Sequence, residues 1–457
     1  MRLKLSANFL TVIVFAISFN TLCAQTSPCD VIQISHNPGA PLLYNSDSSK
    51  YLVNLQDTAG IFQIYVANAG DTNLTCISLN YPWSFLRPWS ARNKLQVQWH
   101  ESGDYIICGV EKEFYNELLF VPYNILLGWL QSGLWMDIWA VTPDGNNWYP
   151  LVYTEAGFTG PAFTPDGTKC AYAEGRDSSN LFVDVFGVWD LQLADFTVNS
   201  GVPSLTNITS IQPAGARWIE PGNFHPDGQQ LLISSDIGLT NAEGQDQYIL
   251  NVFTGQIVNL NNTPMVWDEH GIFSPDGNKI LFMTSYPYQA DTNSYHTLTI
   301  KAEFMLMNAD GSGLQQLTHF RDTGYFESHA GIAATGFWTP DGRRIYCQSL
   351  IFPDYENWII DFYGPCGNVF TSVDETQSGT FDVFPNPAQS TLTVQSPFDL
   401  TDAEITIVNT LGQTVKTITG VSGNTATVNV DDLCGGTYFI QMRSGGNYSS
   451  RIFVKEN

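Results

Sequence analysis

Phe273-Ser-Pro-Asp-Gly277 is one copy of a pentapeptide that recurs between short apolar segments along most of the chain. The other copies, the last two of them degenerate, are Phe163-Thr-Pro-Asp-Gly167, Phe224-His-Pro-Asp-Gly228, Trp338-Thr-Pro-Asp-Gly342, Trp99-His-Glu-Ser-Gly103 and Asn45-Ser-Asp-Ser-Ser49. Asp-Gly between apolar runs favours a tight hairpin, because glycine accepts positive φ without a Cβ clash. Six such hairpins at intervals of roughly 50 to 65 residues predict a β-propeller.

A second hairpin follows the first in most repeats, as in Glu303–Thr318, where Asn-Ala-Asp-Gly stands at the turn. Four strands per repeat predict an all-β, six-bladed β-propeller over residues 30–364. Counts of seven blades, or of five with an irregular cap, stay open because the first repeat is degenerate. The repeat resembles that of TolB-like propellers, a resemblance that implies this fold and no particular activity.

The N-terminus has the order of a secretory signal peptide. Arg2 and Lys4 precede an apolar stretch at 9–18, and cleavage is predicted after Ala24, so that residues 1–24 are removed. About ten apolar residues cannot cross a bilayer core of roughly 30 Å, so no membrane span is predicted in the mature chain. A lipoprotein anchor through Cys23 is disfavoured because Leu22 stands where a small residue is expected.

The mature chain is strongly acidic. Loss of Arg2 and Lys4 reduces the 19 Lys and Arg to 17 against 44 Asp and Glu, a net charge of −27. Such a charge repels phosphate backbones, so nucleic acid is not expected as a partner. Seven cysteines remain, none at zinc-binding spacing. Cys29 and Cys366 flank the repeats, and a ring fold brings its ends together, so they are the predicted disulfide pair.

A different domain follows a polar linker at 365–380. Residues 381–457 contain apolar-polar alternation bounded by Gly and Asn turns, which predicts a small Ig-like β-sandwich. The segment resembles the C-terminal sorting domain of type IX secretion cargo in Bacteroidota, and the positions that carry the resemblance are Pro385, Asn386, Pro387, Gly412, Gly436 and Tyr438. The resemblance implies that residues 381–457 engage the type IX machinery, and that the protein is secreted or attached to the cell surface.

Long connections between the hairpins are predicted to share one face of the ring, opposite the short turns. They are 78–94, 111–134, 201–216, 234–247, 285–302 and 319–334. Variable loops on a rigid frame commonly carry function. Polar residues gather where the innermost strands begin on this face, namely Glu220, Asp268, Glu269 and His270, with Glu155, Glu327 and His329 slightly further out. All of these except Glu155 form the candidate site.

These side chains suit a divalent cation, with His270 and His329 as candidate ligands, or proton transfer. The alternative is a wet channel mouth with no ligand. No cofactor other than such a cation is predicted. The longest insertion, 114–135, is apolar and is expected to fold back on the ring, or to offer an aromatic surface to a partner.

The sequence is compatible with two candidate functions. The first is a binding module for a protein or glycan, which the absence of a Gly-x-Ser-x-Gly motif, a phosphate loop and a dinucleotide fingerprint favours. The second is a metal-dependent enzyme acting on an anionic polysaccharide. Oligogalacturonate lyases are propellers of a similar turn type, and His270 and His329 stand at comparable blade positions. The lyases' further histidine ligands have no counterpart here.

Overall fold

The computed structural model describes residues 31–37, 39–79, 88–113, 127, 130–176, 187–239, 244–294, 299–351 and 354–363, and then 381–396, 400, 403–409, 414–444 and 447–456. The regular secondary structure of the described residues is almost entirely strand. Two short 3-10 helices, Trp89–Ala91 and Tyr286–Tyr288, interrupt the loops. None of the helices in these ranges is long and apolar enough to span a bilayer.

Described residues 31–363 form six four-stranded antiparallel sheets, each labelled here by a Roman numeral. Sheet I contains β2 (Leu43–Tyr44), β3 (Lys50–Gln56), β4 (Phe62–Asn68) and β5 (Thr75–Cys76). Sheet II contains β6 (Lys94–Trp99), β7 (Ile106–Glu111), β8 (Met136–Val141) and β9 (Trp148–Val152). Sheet III contains β10 (Phe158–Phe163), β11 (Lys169–Gly175), β12 (Trp189–Asn199) and β13 (Val202–Ser210).

Sheet IV contains β14 (Ile219–Phe224), β15 (Gln230–Ser235), β16 (Asp246–Asn251) and β17 (Ile257–Asn259). Sheet V contains β18 (Asp268–Phe273), β19 (Lys279–Thr284), β20 (Glu303–Asn308) and β21 (Gln315–Gln316). Sheet VI contains β22 (Ile332–Trp338), β23 (Arg344–Ile351) and β24 (Asp354–Tyr363), and its fourth strand is β1 (Val31–Asn37) from the other end of the repeats.

The Pro-Asp-Gly corner closes the first hairpin of each sheet by a fixed set of hydrogen bonds. In sheet III, Gly167 N donates to Thr164 O at 2.7 Å, and Gly167 has a φ of 68°. Asp166 Oδ1 accepts from Thr164 Oγ1 at 2.6 Å and from Thr168 N at 3.0 Å. These hydrogen bonds lower the pKa of the Asp166 carboxyl, and the bond from Thr164 contributes most. The corner is therefore specified by local chemistry.

The two degenerate copies fold into the same corner with substitute residues. Ser48, and not Ser49 as the predicted copy Asn45–Ser49 implies, takes the place of the glycine with a φ of 58°. Ser48 N donates to Asn45 O at 2.9 Å, so the corner begins one residue earlier than predicted. In sheet II, Gly103 N donates to His100 O at 2.9 Å, while Ser102 Oγ replaces the aspartate and accepts from Asp104 N at 3.1 Å. Both hairpins predicted from the degenerate copies are thus present.

Each corner packs against the glycine of the next corner. A Cβ placed on Gly277 would stand 2.4 Å from His225 Nε2, and one on Gly167 would stand 2.8 Å from His100 Cε1. His100 Nε2 also lies 3.0 Å from Gly167 O. Such a close approach between neighbouring sheets requires a residue without a side chain.

The sheets follow one another around a closed circle. The first strands, β2, β6, β10, β14, β18 and β22, contact each other in chain order. Tyr44 of β2 then meets Tyr346 of β23, with ring centroids 6.5 Å apart. β1 pairs along its whole length with β24, from Val31↔Tyr363 to Asn37↔Asn357. This circle of four-stranded sheets is a β-propeller, as the repeats predict.

The aromatic residues that precede the corners lie in the core. Phe273 is buried, as are Phe163, Phe224 and Trp99, and Trp99 Nε1 donates to Leu43 O of the neighbouring sheet at 2.9 Å. Trp338 is half-buried and stacks on Phe362. The Trp99 contact crosses between sheets, as the sequence predicts, whereas the Trp338 stack lies within sheet VI.

The C-terminal residues form two further antiparallel sheets. One contains β25 (Asp382–Phe384), β26 (Thr391–Gln395) and β29 (Thr425–Asn429). The other contains β27 (Glu404–Asn409), β28 (Thr414–Ile418), β30 (Gly436–Ser444) and β31 (Asn447–Lys455). Leu392, Val394 and Phe453 are fully buried, which fits the two-sheet sandwich expected from the alternation.

One predicted connection is wrong. Residues 201–216 were expected to be a long loop, but Val202–Ser210 is strand β13, which pairs with β12 after a short turn in which Gly201 has a φ of 79°. The segment is rich in Ser, Thr and Asn and largely exposed, so it lacks the apolar alternation of the inner strands.

Several predictions fall outside the described residues. These are the signal peptide, the linker, the Cys29–Cys366 pair and most of the insertion 114–135, of which Leu130, Leu134 and Trp135 are described and buried in the core. Among the described cysteines, Cys76, Cys108, Cys170 and Cys347 are free thiols and Cys434 is disulfide-bonded.

The corner contacts predict unequal costs for two glycine substitutions. Gly277 and Gly255 have φ values of 75° and 72°, but a Cβ on Gly255 meets nothing within 4 Å. Gly255→Ala should therefore lower the free energy of unfolding by the left-handed penalty alone, about 1–2 kcal/mol. Gly277→Ala should lose roughly 1–3 kcal/mol more by overpacking against His225. Chemical denaturation of both variants measures this difference, and equal losses would contradict the turn-to-turn contact.

Candidate functional site

The innermost strands carry a β-bulge at nearly the same place in sheets II to VI. In β18 the register shifts between Glu269 and Ile272, so that two residues of β18 oppose one residue of β19. Comparable shifts occur in the first strands of the other four sheets. Bulges re-aim side chains and are frequent beside functional sites.

His270 lies in the bulge of β18 with a φ of 56°, a left-handed conformation that is unfavourable for a residue with a side chain. Gln96 in β6 and Gly160 in β10 also have positive φ values, of 51° and 44°. All three stand three residues before the aromatic residue of their corner. The strain at His270 thus belongs to a recurring feature of the scaffold.

Equivalent positions bring polar side chains of neighbouring sheets together. Thr159, Glu220 and Glu269 each stand four residues before the corner aromatic, in β10, β14 and β18. Thr159 Oγ1 donates to Glu220 Oε1 at 2.8 Å. The sequence repeat therefore specifies a row of side chains across three adjacent innermost strands.

Glu220, Glu269 and His270 form a compact cluster in which one ligand atom from each lies within 4.8 Å of the others. His270 Nε2 lies 3.6 Å from Glu269 Oε2 and 3.8 Å from Glu220 Oε2. The His270 side chain is 34% exposed, against 12% for Glu269 and 19% for Glu220. The imidazole is thus open to solvent, and the carboxylates lie behind it.

The electrostatics of this cluster couple its three members. Desolvation raises the pKa of Glu269 to about 7, the nearby Glu220 carboxylate adds to that shift, and His270 opposes it. Desolvation lowers the pKa of His270, but the carboxylates of Glu220 and Glu269 outweigh it, so that its pKa lies above the ordinary value. Both shifts favour the protonated form of the group concerned, and Glu269 is thereby moved into the range that suits proton transfer near neutral pH.

Two residues beside the cluster were not predicted. Trp267 Nε1 donates to Glu269 Oε2 at 2.8 Å. Gln245 is 1% exposed, pairs with Trp267 through a parallel bridge, and directs its amide toward Glu269 without a hydrogen bond of normal geometry. Trp267 could have been found from its place two residues before Glu269, whereas nothing in the local sequence marks Gln245.

Asp268 points away from this cluster. It is fully buried and accepts from Thr263 Oγ1 at 2.6 Å, and desolvation raises its pKa to about 7. Glu155 is exposed, with its N–H donating to Glu174 Oε1 at 3.1 Å. Neither side chain belongs to the described His and carboxylate cluster.

Glu327 and His329 form a separate arrangement in the connection before β22. Glu327 is 1% exposed and accepts from His319 N at 3.1 Å. The nitrogens of His329 face Glu327 O at 2.5 Å and Ser349 Oγ at 2.7 Å, and its ring lies against Phe320 and Trp358. His329 is thus held within the packing of sheet VI, and the structure does not bring it into the cluster of His270.

The motif residues of the C-terminal domain hold its ends together. Asn386 Nδ2 donates to Ile452 O at 3.1 Å, and Val454 N donates to Asn386 Oδ1 at 2.9 Å. Pro385 and Pro387 flank it. Gly436 pairs with Lys455, and Tyr438 stacks on Phe453 and donates to Cys434 O at 3.0 Å. Gly412 lies outside the described residues. The opening motif is therefore pinned to the last strand.

Residues 382–456 match the family described as "Secretion system C-terminal sorting domain". This segment is a C-terminal sorting domain of the kind that its motifs predict. The sorting domain marks the chain as a secreted or cell-surface protein. No curated protein matches the sequence.

Several solved structures are similar to the chain. A putative TolB from Agrobacterium tumefaciens is 15% identical, with 73% of this chain and 99% of that chain covered and a TM-score of 0.44. TolB from Acinetobacter baumannii is 12% identical, with coverages of 75% and 66% and a TM-score of 0.41. An oligogalacturonate lyase in complex with manganese is 11% identical, with coverages of 73% and 91% and a TM-score of 0.42. The propeller assignment stands on the sheets described above.

Glu327 predicts a pH dependence of stability. Desolvation raises its pKa to about 7, so the folded state holds a proton that the unfolded state releases at lower pH. The contribution of this protonated carboxyl to the free energy of unfolding is fully present below the ordinary glutamate pKa and is lost as the pH rises through about 7. Glu327→Gln should flatten the fall in unfolding free energy between pH 5 and 8, measured by denaturation. The exposed Glu155→Gln serves as control, and an unchanged slope in Glu327→Gln would contradict the burial argument.

Proposed function

We propose that the protein is a ligand-binding propeller that is exported by Sec and then by type IX secretion, and that acts on the cell surface or in the medium. The binding site in this proposal is the cluster of Glu220, Glu269 and His270. The observation that carries it is the solvent-open imidazole of His270, held at a φ of 56° above two carboxylates of adjacent innermost strands. The positive φ recurs at Gln96 and Gly160, and what distinguishes His270 is its place beside the carboxylates of Glu220 and Glu269.

Other features support a binding role. The innermost strands of a propeller surround its central channel, so a cluster on them stands where several sheets converge. The predicted long connections begin at the same end of these strands and supply further contact area. The net charge of −27 expected for the mature chain favours a ligand, or a bridging group, that brings positive charge to this site.

The ligand site can be tested with a glycan array and immobilised surface proteins of the producing bacterium. His270→Gly keeps the left-handed backbone without strain and removes the imidazole, so we expect it to abolish retention of any ligand that the unaltered chain binds. Glu155→Gln should bind as the unaltered chain does. A ligand that His270→Gly retains, or no ligand at all for the unaltered chain, would show that the cluster is not the binding site.

A metal-dependent enzyme acting on an anionic polysaccharide is the second candidate. The observation that favours it is the raised pKa of Glu269, about 7, beside His270, which suits general acid–base catalysis. Incubation with anionic polysaccharides and measurement of new reducing ends separates the two functions. We expect no turnover, whereas turnover that is lost in His270→Gly would replace the binding proposal with the enzyme.

Export by the sorting domain predicts a role for Asn386. Asn386→Ala removes two hydrogen bonds to Ile452 and Val454, worth about 1 kcal/mol each, and should loosen the opening motif from the last strand. We expect less protein on the cell surface and in the medium, and more within the periplasm. Gln389→Ala, which removes a single exposed hydrogen bond, to Glu456 at 3.1 Å, is the milder comparison variant. Equal export of the two variants would contradict this role.

A further inference from the structure

The His270 imidazole lies too far from the carboxylates of Glu220 and Glu269 for hydrogen bonds, but close enough for their charges to interact. The His270 Nε2 distances of 3.6 and 3.8 Å to the two carboxylate oxygens exceed normal hydrogen-bond lengths. Ligands at about 2.0–2.1 Å around a tetrahedral metal ion stand roughly 3.4 Å from each other. The two separations from His270 Nε2 are within a few tenths of an ångström of that value, and all three ligand atoms lie within 4.8 Å of one another.

The atoms around this gap have unused bonding capacity. Glu220 Oε2, which faces His270, is buried and has no hydrogen-bond partner. Gln245 is 1% exposed, and neither its amide oxygen nor its amide nitrogen forms a hydrogen bond of normal geometry, although the amide faces Glu269. Buried polar groups without hydrogen bonds indicate a missing ion or water. Gln245 belongs to a different segment from Glu220 and faces Glu269, so its buried amide is a second, separate sign of a ligand beside this cluster.

Donors behind the cluster fix the orientation of both carboxylates. Thr159 Oγ1 donates to Glu220 Oε1 at 2.8 Å, which leaves Oε2 toward His270. Trp267 Nε1 donates to Glu269 Oε2 at 2.8 Å, and this same oxygen lies 3.6 Å from His270 Nε2 with a second lone pair still available. Such outer contacts typically orient the side chains that bind a metal ion. The bulge in β18 places the imidazole over the same gap.

We propose that Glu220, Glu269 and His270 bind one divalent first-row transition-metal ion such as Zn²⁺ or Mn²⁺. An imidazole with two carboxylates suits these ions, whereas Ca²⁺ and Mg²⁺ prefer oxygen ligands alone. Three protein ligands leave a position open for a water molecule or a ligand group, as in metal sites that act on bound molecules. The exposed side of His270 gives this position access to solvent.

This inference rests on the proposed function and deepens it, because the ion would be the positively charged group through which the acidic protein holds its ligand. His329 has no part in the site, since its ring nitrogens face Glu327 O in the connection before β22 and Ser349 Oγ in β23.

Titration of the metal-stripped full chain with Zn²⁺ and with Mn²⁺, followed by calorimetry, tests the site. We expect one ion per chain, and an affinity at least about tenfold weaker in Glu220→Gln and His270→Gly. Gln96→Gly, at the equivalent bulge of β6 with a φ of 51°, is the matched control and should bind as the unaltered chain does. Thermal unfolding without metal checks that each variant folds, and His270→Gly should be at least as stable as the unaltered chain.

The outcomes separate this inference from the proposed function. No stoichiometric ion in the unaltered chain, or equal affinity in His270→Gly, overturns the metal site. If a glycan or protein ligand is nevertheless lost in His270→Gly, the cluster still binds its ligand directly and the proposed function stands. Stoichiometric metal that Glu220→Gln and His270→Gly lose supports the inference, even where the array finds no ligand.

Discussion

The Pro-Asp-Gly corner is the constraint on which the propeller depends. Its aspartate accepts hydrogen bonds from residues on both sides of the turn, as Asp166 does from Thr164 and Thr168. Its glycine adopts a left-handed φ and has no side chain to cover the surface of the turn. The corner of the preceding sheet can then approach closely, as His225 approaches Gly277. Because the glycine serves both the turn and the contact between sheets, a single pentapeptide sets the shape of each hairpin and its distance from the next hairpin.

Stability supplied at the corners allows irregular backbone at the opposite end of the same strands. His270 carries a left-handed conformation that costs about 1–2 kcal/mol, and it lies in a bulge that interrupts pairing between β18 and β19. Gln96 and Gly160 have the same sign of φ in β6 and β10, so the irregularity recurs with the repeat. The corner holds the strand while the bulge turns a side chain out of the sheet, which is how a rigid scaffold presents a polar group without unfolding around it.

The sequence predicts what local chemistry determines and misses what distant segments determine. The corners, most hairpins and the clustering of Glu220, Glu269 and His270 follow from short motifs and from polar residues in apolar strands. β1 was missed because its partner β24 lies at the other end of the repeats, and a strand completed by pairing of the chain ends has no local signal. His329 stands in a connection where Ser349 and Glu327 O hold its ring, so its likeness to His270 in sequence did not extend to position. Gln245 approaches Glu269 only through its bridge to Trp267.

The position four residues before each corner aromatic explains why a site can arise on this scaffold without disturbing it. Leu95, Thr159, Glu220 and Glu269 occupy it in sheets II to V, and all pair with the second strand at the same offset from the corner. Side chains at this position therefore meet neighbours from adjacent sheets, whatever their chemistry. Two carboxylates in adjacent sheets repel each other unless positive charge lies between them. The side chain that the bulge turns toward them is a histidine, and the neighbouring sheet offers a threonine hydroxyl, so the pair is held by groups that the same repeat supplies.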